Sequence, residues 1–216
     1  MSIGEFLSNL GFSFVPVLLL VLLALVFSSY IKIITVLAIV RAGLGSMSLP
    51  GAFVTGSLAL ALSFFVMYPT IDSSLKAMDG ALASAAGQSA NLRQARAVDA
   101  GIKEWKKFLV KQSDGEIVNK FVSKINNNPE EAEGLKSSWR VLAPSFFVSE
   151  LKAAFATGLS LFLPFVILDL CIAHVLVALG LSRLDPLVVS LPFKILLFVM
   201  VDGWTLISTN LVGTYF

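Results

Sequence analysis

Along the 216 residues, apolar positions gather into long unbroken runs at both ends of the chain, with a polar stretch between them. The first run passes from Phe12 beyond Phe27 into Tyr30-Ile31-Lys32-Ile33-Ile34. It predicts a retained helix of membrane length that opens near Pro16, a residue suited to a first helical turn. Arg41-Ala42-Gly43-Leu44-Gly45-Ser46-Met47-Ser48-Leu49-Pro50-Gly51 predicts a turn by its Gly, Ser and Pro content. Ala52 to Tyr68 predicts a second apolar helix, stopped at Pro69. Ala52-x-x-x-Gly56 and Ala59-x-x-x-Ser63 set small residues on one face, which lets helices approach closely. From 144 onward come two more apolar runs, separated by Ser182-Arg183-Leu184-Asp185-Pro186. Each is long enough to cross a hydrocarbon core of roughly 30 Å as a helix. Pro164 and Pro192 interrupt the helical ladder, so the freed carbonyls need partners inside a protein assembly.

Between the runs the pattern changes. Ala77 to Ala100 is rich in Ala, Leu, Gln and Arg, all good helix formers. Trp105, Phe108 and Leu109 fall at i, i+3 and i+4 of an amphipathic helix. Asn126-Asn127-Asn128-Pro129 predicts a turn, and Glu130 to Trp139 a further short helix. The expected architecture is all-α. A first apolar hairpin occupies 1–69, a polar, mainly helical insert 70–143, and a second apolar hairpin 144–216. That makes four long apolar helices, broken by prolines. The insert is small enough to pack against its neighbours rather than fold as a separate domain.

Composition supports the membrane reading. The chain is 56% hydrophobic and only 14% charged, against a soluble norm of about 45–50% apolar. The net charge of +2 decides little, because the charges are segregated: 11 of 16 Lys and Arg and 10 of 14 Asp and Glu lie between Thr70 and Glu150. No basic stripe favours nucleic acid. Residues 1–11 carry Glu5 and no Lys or Arg, unlike the basic start of a cleaved signal peptide. Arg41 and Arg183 sit in the two short turns and place both on the cytoplasmic side, which puts the insert in the periplasm.

The charges left inside the apolar runs are the candidate functional residues. Asp169, Lys194 and Asp202 unpaired at mid-bilayer would together cost roughly 7–10 kcal/mol, at about 2.5–3.5 kcal/mol each. Asp169 and Lys194 lie in opposite arms of the second hairpin and meet if the arms pack antiparallel, within a chain or between copies. Lys32 reads as a snorkelling interfacial charge, with a buried partner for a carboxylate as the alternative. Glu150 precedes an apolar helix and favours its N-terminal dipole. Cys171 and His174 are two residues of ligand type, short of the three or four that zinc takes. The glycines after Arg41 lack the Lys-Ser/Thr of a phosphate loop, and no hydrolase or Rossmann motif occurs. The residues therefore give no catalytic, metal or cofactor site.

Several linked blocks carry a resemblance. They are Phe147-x-x-Glu150-Leu151-x-x-Ala154-Phe155-x-x-Gly158, Leu163-Pro164-Phe165-x-x-x-Asp169-Leu170, Leu179-Gly180, Ser190-Leu191-Pro192-Phe193-Lys194 and Asp202-Gly203-Trp204. In this order and spacing they resemble the FliP/SctR (YscR/HrcR) family of type III secretion export-gate proteins. The resemblance implies a non-enzymatic component of the bacterial inner membrane, without cofactor, that assembles as a homo-oligomer of about five copies. The SctS/FliQ-like and SctT/FliR-like gate subunits, an SctU/FlhB-like switch protein, inner rod or needle proteins and exported unfolded proteins are the implied partners. Family members often carry a run of methionines after the Leu-Gly, forming a pore constriction. Here Leu181, Ser182, Arg183 and Leu184 stand in its place, two apolar residues with a positive charge between them. Length and the N-terminal pattern lean towards injectisome rather than flagellar use. The rival reading is a small four-helix transporter or ion channel using Asp169 and Lys194, but the first hairpin lacks broken, charged helices to match the second. A membrane scaffold without a pore is a weaker third.

Overall fold

The computed structural model describes residues 23–45, 51–84, 89–125 and 129–216, and every regular element among them is a helix. In chain order these are α1 (Tyr30–Gly43), α2 (Ala52–Ser84), α3 (Ala90–Gln112), α4 (Gly115–Ile125), α5 (Pro129–Lys136), α6 (Trp139–Ala178), α7 (Pro186–Met200) and α8 (Gly203–Gly213). Two of them, α2 and α6, are long and apolar enough to cross a membrane, and the bent pair α7–α8 makes a third if counted as one span. Four such helices are not present among the described residues. The start of the first apolar run at Phe12 and Pro16, and the predicted turn at 126–128, lie outside them.

The molecule is built around α1. Ile33, Val36, Leu37 and Val40 are all but inaccessible and form one core with Ala59 of α2, Ala154 and Phe165 of α6, Phe198 of α7, and Ile207 and Leu211 of α8. Close approach is written into the glycines of α1 and α6. A Cβ on Gly158 would come within 2.5 Å of Ile39, and one on Gly43 within 2.8 Å of Phe165. The pairings 39 with 158 and 43 with 165 ascend together, so α1 and α6 run parallel. A smaller core under the polar insert joins Leu109 of α3 to Leu142 and Phe146 of α6, with Phe27, Trp105 and Phe108 packed on it. The amphipathic triad read in the sequence thus faces α6.

Three boundaries differ from the sequence expectation. α1 runs through Arg41 to Gly43, where a turn was predicted. α2 continues through Pro69 to Ser84, and α6 through Pro144 and Pro164, so helices cross both 69/70 and 143/144. A proline costs an isolated helix about 3 kcal/mol, but packed neighbours can hold it in line. Conversely, the chain breaks where no proline stands. It bends at Phe27-Ser28-Ser29, before α1. The second arm of the last hairpin breaks not at Pro192, which sits inside α7, but at Val201-Asp202, with a 60° bend. Asp202 adopts the left-handed conformation there, with φ 49°. On Gly203, next in line, a Cβ would lie 2.4 Å from the Phe198 ring, so only glycine fits.

Candidate functional site: two buried polar clusters and an exposed loop

The first cluster sits where α1 ends between α6 and α7. Ser190 and Lys194, one turn apart on α7, both reach Asp169 of α6. Lys194 Nζ lies 2.6 Å from Asp169 Oδ2, and the Ser190 hydroxyl donates to Oδ1. Lys194 Nζ also donates to the Gly43 carbonyl at 3.0 Å. That carbonyl belongs to the last turn of α1, where main-chain acceptors lack helical partners and the dipole favours a cation. The lysine side chain is 2% exposed and the aspartate 21%, so the ammonium is taken out of solvent with two acceptors in place, Asp169 and the Gly43 carbonyl. Gly45, at φ 75°, leaves room for it: a Cβ there would stand 3.3 Å from Nζ. The pair closes within one chain, and it ties α1, α6 and α7 at a single point.

The second cluster lies about three turns back along α1, at Lys32. Glu150 is not at a helix start, as the sequence suggested, but well inside α6, because that helix begins at Trp139. It is 2% exposed, and its carboxylate accepts a short hydrogen bond from the Tyr215 hydroxyl. Lys32, 5% exposed, donates to Thr214 Oγ1 at 2.8 Å and stands 4.5 Å above the Tyr215 ring. Lys32 is thus buried, with its hydrogen bond going to a hydroxyl rather than to a carboxylate. Lys111 of α3 donates to the Tyr215 carbonyl at 3.3 Å. Sequence reasoning missed Ser190, Thr214 and Tyr215. They are ordinary residues locally, and only an unpartnered Asp169, Lys32 or Glu150 signalled that something must meet them.

Asp202 stands apart from both clusters. It is exposed at the α7–α8 bend and engages neither lysine. Leu181, Ser182, Arg183 and Leu184 form the exposed connection between α6 and α7. Gly180, at φ 73°, turns the chain out of α6, and Leu181 N closes the turn on Leu176 O at 2.9 Å. Asp185 then caps α7, its carboxylate accepting from Leu187 N at 2.9 Å, with Pro186 in the first turn. The loop is therefore fixed at both ends while its four residues stay bare. Cys171 is exposed, and His174 directs Nδ1 to the Leu170 carbonyl of its own helix. Among the described residues no three His, Cys, Asp or Glu side chains gather as a metal site.

Large apolar faces are also left uncovered. Phe155, Leu159, Leu163, Ile167 and Leu170 make one exposed stripe along α6, and Phe193, Leu196 and Met200 another along α7. Such surface belongs against lipid or other protein.

Comparison with known proteins accounts for this arrangement. The model of the FliP family matches residues 13–211. The chain is 36% identical over 188 residues to the flagellar biosynthetic protein FliP of Caulobacter vibrioides, covering 87% of this chain and 68% of that one. It is 37% identical over 206 residues to the hypersensitivity response secretion protein HrcR of Ralstonia nicotianae, covering 93% and 94%. The surface presentation of antigens protein SpaP of Salmonella typhi is 33% identical over 198 residues, with 86% of each chain covered. Against four flagellar relatives the chain spans between 52% and 68% of their length. A match across nearly the whole sequence, by a family model and by relatives of similar length alike, shows that the chain belongs to the FliP family.

Proposed function

We propose that the chain is a core, pore-forming subunit of a type III secretion export gate, set in the bacterial inner membrane and assembled in about five copies. Family membership across 13–211 carries this reading. The relatives' names attach the family to flagellar biosynthesis and to secretion. The surface supports it physically: Asp169 and Lys194 neutralise one another within the chain, while broad apolar stripes on α6 and α7 stay open for neighbours. SctS/FliQ-like and SctT/FliR-like subunits complete the gate, an SctU/FlhB-like protein switches it, and unfolded substrates pass towards rod or needle proteins. In this reading the chain binds, positions and encloses rather than catalyses.

Leu181, Ser182, Arg183 and Leu184 are the residues proposed to line the constriction. They are exposed on a loop held rigidly at both ends, as a ring of copies would require. Because α1 and α6 run parallel, Arg41 and Arg183 lie towards the same end, which supports placing both on the cytoplasmic side. The far ends of α2 and α3 then carry the insert into the periplasm. Asp169 and Lys194 act as an assembly clamp within each copy. Their mutual neutralisation ties up both charges on which the transporter reading rests, and so counts against it.

Native mass spectrometry of the detergent-purified chain, alone and co-expressed with its genomic neighbours, tests the proposal. The expected result is a ladder ending near five copies that then gains small membrane partners. A stable monomer that ignores those neighbours overturns it.

A further inference from the structure

The break at 27–29 is built from both sides by residues of other helices. The Trp105 indole Nε1 of α3 donates to the Phe27 carbonyl at 2.9 Å. Ser28 and Ser29, 4% and 0% exposed, direct their hydroxyls to Ser63 of α2 at 3.3 and 3.1 Å. The Ser28 hydroxyl also bonds the Leu25 carbonyl at 2.7 Å and receives the Tyr30 amide at 3.2 Å. Regular main-chain bonding resumes only with Ile33 N to Ser29 O. No proline or glycine lies in this stretch; locally the Ser28 back-bond to the Leu25 carbonyl favours a bend, and Trp105 and Ser63 hold it from other helices.

A continuous helix would give the Phe27 carbonyl to the Ile31 amide, four residues on. In the broken form the indole stands on that carbonyl instead. We propose that Trp105 is a positioning residue, a latch by which the polar insert holds the first apolar helix in a broken form in competition with a continuous one. The two forms exchange comparable hydrogen bonds: indole and serine contacts on one side, main-chain bonds on the other. Their balance is therefore close, and removing one donor shifts it measurably. The Phe27 ring, edge-on to Trp139 at 6.3 Å, registers the same choice at the start of α6. Through the latch, the insert sets the direction of residues 23–26 relative to α1.

The test is a pair of spin labels at Leu23→Cys and Ala38→Cys, both exposed positions, in the full chain with Cys171→Ser, reconstituted in lipid nanodiscs. Fifteen residues of continuous helix at about 1.5 Å each span roughly 22 Å. The wild-type background is expected to give a main distance shorter than that of a straight helix. Trp105→Phe keeps an aromatic ring and removes only the N–H, and is expected to add a longer population at the straight-helix distance without loss of helicity. Ser63→Ala, which releases the opposite side, is expected to shift the distribution the same way, and it carries the test alone if Trp105→Phe fails to fold. Distributions that superimpose on the wild type in every folded variant overturn the latch. The labelled chain is diluted with unlabelled Cys171→Ser chain, so that each complex holds about one labelled copy and the distance read is within one chain however many copies assemble.

Discussion

Charge is handled in two opposite ways in this molecule. On the insert, Lys103 pairs with Asp99, Lys120 with Glu116 and Lys136 with Glu133, each within one helix and each in contact with solvent. Such pairs keep a surface soluble and contribute little, because water already serves both partners. Among the apolar helices, Lys194 meets Asp169 across two helices, out of solvent, with Ser190 and the Gly43 carbonyl filling the remaining positions. There the ammonium is shut away from solvent, and removing one partner leaves a charge that little else satisfies. The lesson is that position, not distance, separates them: the ion pairs are 2.6 to 2.9 Å long in both places.

The largest effect is expected from breaking the buried pair. Lys194→Ala should destabilise the purified chain by about 3 kcal/mol, read as a fall in melting temperature, because Asp169 is left without its ammonium. Lys194→Met with Asp169→Leu should recover most of that loss, since the charge is then removed with its partner. In the second cluster Tyr215→Phe deletes only the hydroxyl that Glu150 accepts, and should cost about 1–3 kcal/mol by the same measurement. Gly158→Ala should cost about 1–3 kcal/mol through overpacking, as its Cβ meets Ile39 at the crossing of α1 and α6. At the other extreme Lys103→Ala should stay within about 0.5 kcal/mol of wild type. A loss there equal to that of Lys194→Ala would erase the contrast.

Acid sharpens the same contrast at the edge of the insert. Asp114 is held below the ordinary carboxylate range, chiefly by the hydrogen bond from Lys152 and then by the Glu116 amide. A depressed folded-state value contributes stability above the unfolded value of about 3.9, and loses it as pH falls through the folded value. Stability curves of wild type and Lys152→Met should therefore differ slightly at neutral pH and converge below about pH 4.

Much of the buried site was legible because charge inside an apolar run is conspicuous. Asp169 and Lys194 announced a pairing through the cost of leaving either alone, and the antiparallel arms of one hairpin delivered it. Glu150 was equally conspicuous, but its partner was not, since Tyr215 lies 65 residues away and carries no local mark. Helix limits were the least legible. Pro69 read as a stop and Pro164 as a break in the ladder by local geometry, yet the helices continue through both. The break at Ser28 carries no proline or glycine and depends on Trp105 and Ser63 brought in by the fold, whereas Asp202-Gly203 is a turn dipeptide that the long apolar run around it masked.

On the proposed reading, each copy must close its Asp169–Lys194 clamp before it can join an export gate. The most direct measurement is the yield of the multi-copy complex purified from cells expressing Lys194→Glu beside its partner subunits. Two carboxylates facing the Gly43 carbonyl cannot hold α1, α6 and α7 together, so no complex is expected. A wild-type yield would contradict the account.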